Sequence, residues 1–195
     1  MAHRTGLATR TLVGEQFALV PFSEVHITDT YLGWLNDPKV NRFLEVRFAP
    51  QTKESALQYL LARRSAAESY FWAIFDQGTQ KMIGTAGLMG FQRQHGRAET
   101  GLLIGDSEYW GSGAANEAMQ LVIEFGFRAL GLRKLTGGNY APNHGMNFIF
   151  KRMGFTREAT ERRAWLSDAG YVDGYRWGLL IDEWELAHLQ LQEES

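Results

Sequence analysis

The chain has 195 residues, 45% of them hydrophobic and 22% charged, and a formal net charge of −2. Such a composition belongs to a globular domain, and the near-neutral balance provides no electrostatic footprint for nucleic acid. It contains no cysteine, which excludes disulfides, thiolate metal sites and a cysteine nucleophile. No apolar run approaches the roughly 18 residues of a bilayer span, so no membrane partner is expected. Residues 1–10 read as a lead-in without the apolar core of a secretion signal, and 11–195 as one domain. A cytoplasmic monomer or homodimer is the expectation.

In chain order, Thr11–Val13 and Phe17–Val20 flank Gly14-Glu15 as a short hairpin. Ile27–Leu35 reads as a helix stopped by Asn36-Asp37-Pro38. Thr52 can cap a helix that runs to Ser69, with Ala56, Leu57, Leu60, Leu61 and Arg64 at helical spacing. Three strands follow, Tyr70–Phe75, Met82–Met89 and Arg97–Ile104. A long helix from about Ser112 to Leu130 then presents Ala115, Ala118, Met119, Val122, Phe125, Gly126 and Ala129 on one face before Gly131. Lys134–Tyr140 is a strand containing Gly137-Gly138, and Asn143–Met153 a short helix. Phe155–Arg163 and Tyr171–Ile181 are strands, and Glu183–Gln192 closes the chain as a helix. This order predicts an α+β architecture, a mixed and mostly antiparallel sheet of about seven strands flanked by helices. The helical crossover from 97–104 to 134–140 makes those two strands parallel neighbours.

The densest chemical signal is the run from Glu108 to Ala118, Glu-Tyr-Trp-Gly-Ser-Gly-Ala-Ala-Asn-Glu-Ala, where a strand hands over to the long helix. Small residues there leave backbone N–H groups uncovered at a helix N-terminus, which suits a diphosphate. The same run also reads as a small-residue turn that simply starts a helix. It fits neither the dinucleotide-binding glycine pattern nor a P-loop. No metal motif is present.

The string Tyr109 to Ala118 resembles the pyrophosphate loop of the GNAT acetyltransferases, and more closely their RimJ/RimL-type branch. Trp34-Leu35-Asn36-Asp37-Pro38, Ile83-Gly84-Thr85-Ala86-Gly87-Leu88, Ala98-Glu99-Thr100-Gly101, Asn143 with Gly154-Phe155, and Asp173-Gly174 before Glu183-Trp184 are similar to successive family segments. The resemblance implies splayed central strands with acetyl-CoA between them and no metal. Leu102, Leu103 and Ile104 would bond the pantetheine arm through their backbone. Trp110, Gly111, Ser112, Gly113, Ala114 and Ala115 would hold the diphosphate. Asn143 would contact CoA, and it reads equally as the cap of its own helix.

Two positions depart from the family pattern. Met146 stands where a serine is usual, and Phe150 where some members carry a tyrosine acid. Tyr140 and His144 are the nearby substitutes for that acid, with water as a third option. Glu99 is the candidate general base; its alternative is pairing with Arg97 or Arg93. The mechanism implied is direct attack of a neutral primary amine on the thioester. The acceptor would be a small-molecule amine or a protein N-terminus, with an amino sugar on a nucleotide as the alternative. A non-catalytic acyl-CoA sensor is the reading from another class. Asn36, Glu45 and Arg47, with Asn41 and Arg42, fall where the family forms its acceptor side, as does Tyr175 beside Tyr171 and Asp173. Each also reads as a solvated loop residue.

Overall fold

Alternation along the strand Arg97–Ile104 divides its side chains between two cores, and the sheet is built around that division. The computed structural model describes residues 10–65 and 69–193. Its strands are β1 (Leu12–Val13), β2 (Phe17–Pro21), β3 (Tyr70–Asp76), β4 (Met82–Gln92), β5 (Arg97–Ile104), β6 (Lys134–Tyr140), β7 (Thr156–Ser167) and β8 (Gly170–Leu180). They form one eight-stranded sheet in the order β1-β2-β3-β4-β5-β6-β8-β7, in keeping with the expected mixed, mostly antiparallel sheet of about seven strands. Only β5 and β6 pair in parallel; every other neighbour is antiparallel.

The helices are α1 (Asp29–Asn36), α2 (Pro38–Asn41), α3 (Lys53–Ser65), α4 (Ala114–Glu124), α5 (His144–Arg152) and α6 (Ile181–Glu193). Against one face, α4 buries Ala114, Ala118, Met119, Val122 and Ile123 on Leu88, Ala98 and Leu135. Against the other, Tyr31, Trp34 and Leu35 of α1 and Ala56 and Leu60 of α3 pack on Ala73. Leu102 and Ile104 join the first core and Leu103 the second, as the alternation predicts.

Local chemistry explains most boundaries. Thr52 and Ser55 form a reciprocal cap at α3, Ser55 N–H donating to Thr52 Oγ1 (3.2 Å) and Thr52 N–H to Ser55 Oγ (2.9 Å). The buried stripe of α3 is Ala56, Leu60 and Arg63, so the expected Leu61 and Arg64 are corrected: Leu61 is exposed and Arg63 takes the inner position. The last residues of that predicted helix, 66–68, lie outside the described residues. The long helix starts at Ala114 rather than Ser112, because Gly113 caps it in a left-handed conformation (φ 97°). It ends in a π-helical turn, Phe125–Ala129.

The feature that positions the site is a fork. β5 and β6 pair only at Arg97↔Lys134, Ala98↔Leu135 and Glu99↔Thr136, and then separate. Each keeps its other neighbour throughout, β5 with β4 from Glu99 to Ile104 and β6 with β8 from Lys134 to Tyr140. At the crotch, the Thr100 hydroxyl donates to Thr136 O (3.2 Å) and the Thr136 hydroxyl to Ala98 O (3.2 Å). Gly137 and Gly138 allow close approach: a Cβ on Gly137 would stand 2.3 Å from the Phe150 ring, and one on Gly138 2.8 Å from the Arg176 guanidinium.

Candidate active site

The fork opens a cavity of about 420 Å³ that runs between the two faces of the sheet. Glu99, Thr100, Gly101, Leu102 and Leu103 line it from β5, and Gly138, Asn139 and Tyr140 from β6. Asn143, Met146 and Phe150, together with Tyr31, Glu45, Tyr59 and Arg63, complete the lining. Beyond Glu99 the edge of β5 facing β6 has no strand partner, leaving backbone donors and acceptors for an extended ligand. The Ile104 carbonyl is engaged by Trp110, whose Nε1–H donates to it (2.9 Å), and Ile104 itself does not line the cavity.

That tryptophan bond ties the end of β5 to the glycine turn. Tyr109 anchors the same turn from behind, its hydroxyl donating to Asp76 Oδ2 (2.7 Å). Gly111 (φ 80°) and Gly113 (φ 97°) both occupy the left-handed region, and no atom lies within 4 Å of where a Cβ would stand. Glycine is therefore demanded by backbone geometry, and the space above the turn is open. Ser112 N–H donates to Tyr109 O (3.3 Å) and Ala114 N–H to Ser112 Oγ (3.3 Å). Among the described residues, the N–H groups of Gly111, Gly113, Ala115 and Asn116 meet no acceptor. Clustered free donors at the start of an eleven-residue helix suit a diphosphate. Glu117 serves the frame instead: its Oε1 accepts from the N–H groups of Gln16 and Phe17 (2.9 Å each), fastening the first hairpin to α4.

At the middle of the cavity wall, Glu99 is half-buried, and no hydrogen-bond or ion-pair partner reaches its carboxylate among the described residues. Arg97, one expected partner, donates to Gln92 Oε1 (3.0 Å) instead. Tyr140 is only 2% exposed. Its hydroxyl donates to Glu45 Oε1 (2.7 Å), and its ring lies against Phe43 and Trp165. Burial, and after it the Glu45 carboxylate, push the Tyr140 phenol up to about 12. Beneath it, buried Asn139 accepts from Trp177 Nε1 (2.7 Å) and donates to Asn147 Oδ1 (2.8 Å), fixing the strand end.

Glu45 and Arg47 sit on the 3-10 turn Glu45–Phe48. Arg47 crosses to the β7–β8 hairpin, pairing with Asp168 (2.8 Å) and donating to Leu166 O. The turn therefore straps the cavity from outside. Asn143 does cap α5, its Oδ1 accepting from Met146 N–H (3.1 Å), and it also lines the cavity.

Other expected residues lie elsewhere. Asn36 is exposed and joins α1 to α3, donating to Leu32 O (2.9 Å) and Gln51 O (2.8 Å) and accepting from Gln51 N–H (2.8 Å). It positions Gln51, which does line the cavity. Tyr175 packs against Trp177 under the Arg157 guanidinium, away from the cavity lining. His144 is exposed and Phe150 is a core ring stacked on Trp177. Sequence reasoning missed Arg63, Tyr31, Tyr59, Met89 and Trp165. Trp165 carried a signal in hindsight, since a Cβ on Gly174 would stand 2.1 Å from its Nε1. Among the described residues no group of three or more His, Asp or Glu side chains is arranged to hold a metal ion, and no helix is long and apolar enough to cross a membrane.

Residues 16–156, which include the fork, the glycine turn and strands β2 to β6, match the acetyltransferase (GNAT) domain family. The chain belongs to the GNAT family of acetyltransferases. It is 32% identical over 109 residues to the uncharacterized N-acetyltransferase YoaA of Bacillus subtilis, covering 56% of this chain and 61% of YoaA. It is 24% identical over 163 residues to the uncharacterized N-acetyltransferase p20 of Bacillus licheniformis, covering 83% of this chain and 91% of p20. In fold it is similar to RimL, a ribosomal L7/L12 alpha-N-protein acetyltransferase solved with coenzyme A. That likeness has a TM-score of 0.77 at 17% identity and covers 89% of this chain and 99% of RimL. A spermidine N-acetyltransferase SpeG chimera from Vibrio cholerae and hSSAT gives a TM-score of 0.77 at 15% identity, covering 88% and 99%. The GNAT fold uses acetyl-CoA.

Proposed function

We propose that this acetyltransferase passes the acetyl group of acetyl-CoA to a primary amine by direct attack of the amine on the thioester. We place it nearest the RimJ/RimL type, with a protein N-terminus or a small amine as acceptor. The observation that carries the reading is the fork itself: a bare β5 edge leads from the free donors at Gly111–Asn116 to the carboxylate of Glu99.

Bound acetyl-CoA supplies the activated carbonyl. The amides of Gly111, Gly113, Ala115 and Asn116 hold the diphosphate, and the edge from Gly101 to Leu103 aligns the pantetheine arm. Attack requires a neutral amine. An α-amine with a pKa near 8 is roughly one-tenth neutral at pH 7, whereas a lysine amine near 10.4 is neutral in under about a thousandth. Glu99, with no competing partner, takes the amine proton. Tyr140 keeps its proton at neutral pH, because its phenol lies near 12. Full transfer from a phenol held well above its ordinary value to the more acidic thiol's thiolate would run uphill. The one hydroxyl hydrogen of Tyr140 is given to Glu45 (2.7 Å), so Tyr140 positions that carboxylate, and water delivers the final proton.

The test is release of free CoA, with product mass measured, across N-terminal peptides, amino sugars, amino acids and polyamines. Release dependent on one amine class and lost in Glu99→Gln supports the reading. Tight CoA binding with no release from any amine removes it.

A further inference from the structure

One cation in the cavity wall has no acid to balance it. Arg63 reaches inward from α3, is only 9% exposed, and faces the cavity that Glu45 and Glu99 also line. Its guanidinium lies 4.6 Å from the Phe71 ring centre and 5.4 Å from that of Tyr59. Nη1 donates to the Tyr59 hydroxyl (2.6 Å). Nη2 makes only long contacts with Tyr70 O (3.3 Å) and Leu88 O (3.5 Å), and buried Nε has no partner among the described residues. Gly87 makes room for the group, since a Cβ there would stand 3.0 Å from Nη2. No carboxylate pairs with Arg63 among the described residues, whereas Arg47, on the strap outside the cavity, pairs with Asp168.

An uncompensated guanidinium in a largely apolar wall is costly, and it sets the sign of what binds nearby. Tyr31 on the same wall feels it: burial raises that phenol, and Arg63 opposes the rise. Glu99 pairs with Met89 across β5 and β4, and Arg63 Nη1 lies 3.8 Å from Met89 Sδ, so the acid and the cation flank one stretch of the cavity wall, which Leu35, Phe43 and Phe71 also line. A polyamine would place a second ammonium against Arg63, and a neutral amine would leave the guanidinium unmatched.

We infer that the acceptor is a zwitterionic amine with an apolar body, an amino acid or a close relative, whose carboxylate faces Arg63 while its amine faces Glu99. This rests on the amine-acetylation reading above. The competing role for Arg63 is a clamp that fastens α3 to β3 and β4, and the two roles differ in what they discriminate.

Phenylalanine, phenylalaninamide, 2-phenylethylamine and spermidine serve as probes with acetyl-CoA. The wild type is expected to favour phenylalanine over its amide by tenfold or more in kcat/KM. Arg63→Gln should shrink that ratio to within twofold, and Arg63→Lys should retain part of it. A clamp alone would lower both substrates together and leave the ratio intact. Binding gives a readout independent of turnover: N-acetylphenylalanine should raise the melting temperature of the CoA-bound wild type, its amide should not, and Arg63→Gln should lose the difference. Equal treatment of acid and amide by the wild type, or a preference that survives in folded Arg63→Gln, overturns the inference. If no amine releases CoA, the acetylation reading falls while the binding comparison still judges Arg63.

Discussion

The two parts of the proposed site are built by opposite means. The proposed donor end is a run of consecutive residues, Gly111 to Asn116, that offers backbone N–H groups fixed by two left-handed glycines. The proposed acceptor end is the cavity, an assembly of side chains from α1, the 45–48 turn, α3, β5, β6 and β7. A group common to all reactions of a fold, such as a diphosphate, can be held by main chain, which changes little with sequence. A group peculiar to one reaction must be read by side chains brought from separate segments. Substitutions at the donor end should therefore act through backbone conformation, and those at the acceptor end through functional groups.

The largest expected effect tests the acceptor end. Glu99→Gln keeps size and hydrogen-bonding capacity, and should cut turnover on the order of 10²–10⁴-fold while leaving the acetyl-CoA-induced melting shift in place. Wild-type turnover in that variant would remove Glu99 from the chemistry and place the base elsewhere. At the donor end, valine at both Gly111 and Gly113 forces branched side chains into left-handed backbone. It should abolish cofactor stabilisation, worth about 2.7 kcal/mol at a hundredfold excess over the dissociation constant. An unchanged shift would mean that the diphosphate sits elsewhere, and the contrast would collapse.

A smaller effect concerns the strap. Arg47→Ala should raise the acceptor KM roughly fivefold, equivalent to about 1 kcal/mol, with little change in thermal stability. The Asp168 partner is 83% exposed, so the pair adds little to folding. A changed affinity for CoA instead would show that the strap serves the donor end. The smallest effect is confined to alkaline pH. The Tyr140 phenol titrates near 12 in the folded chain and near 10 when unfolded. Between those values the folded state holds the extra proton, so stability is full below pH 10 and falls as pH rises toward 12. Denaturant titrations at pH 9 and 11 should show a larger loss for the wild type than for Tyr140→Phe. Equal losses would place Tyr140 outside the buried contact with Glu45.

Legibility followed the same division. The glycine turn, the order of strands and helices, and the parallel β5–β6 crossover could all be read from residue type and period, because each depends on neighbours within a few positions. The Thr52 and Asn143 caps were legible for the same reason. Tyr175 and Asn36 were misjudged because distance along the chain says nothing about which side of a strand or helix end meets a cavity. Arg63 was passed over because a charge on a helix ordinarily belongs to the solvated face. One position on α3 decided that Arg63 turned inward and Arg64 outward.

By itself, then, the sequence determined a backbone cradle, two cores on either side of a sheet, and the absence of any thiol chemistry. All three follow from local conformation or from composition. Only the tertiary structure decided which acids and which cation share the cavity, because Glu45, Arg63 and Glu99 come from three separate segments of the chain. They meet only once the sheet has parted after Glu99 and Thr136, the last pair that β5 and β6 form.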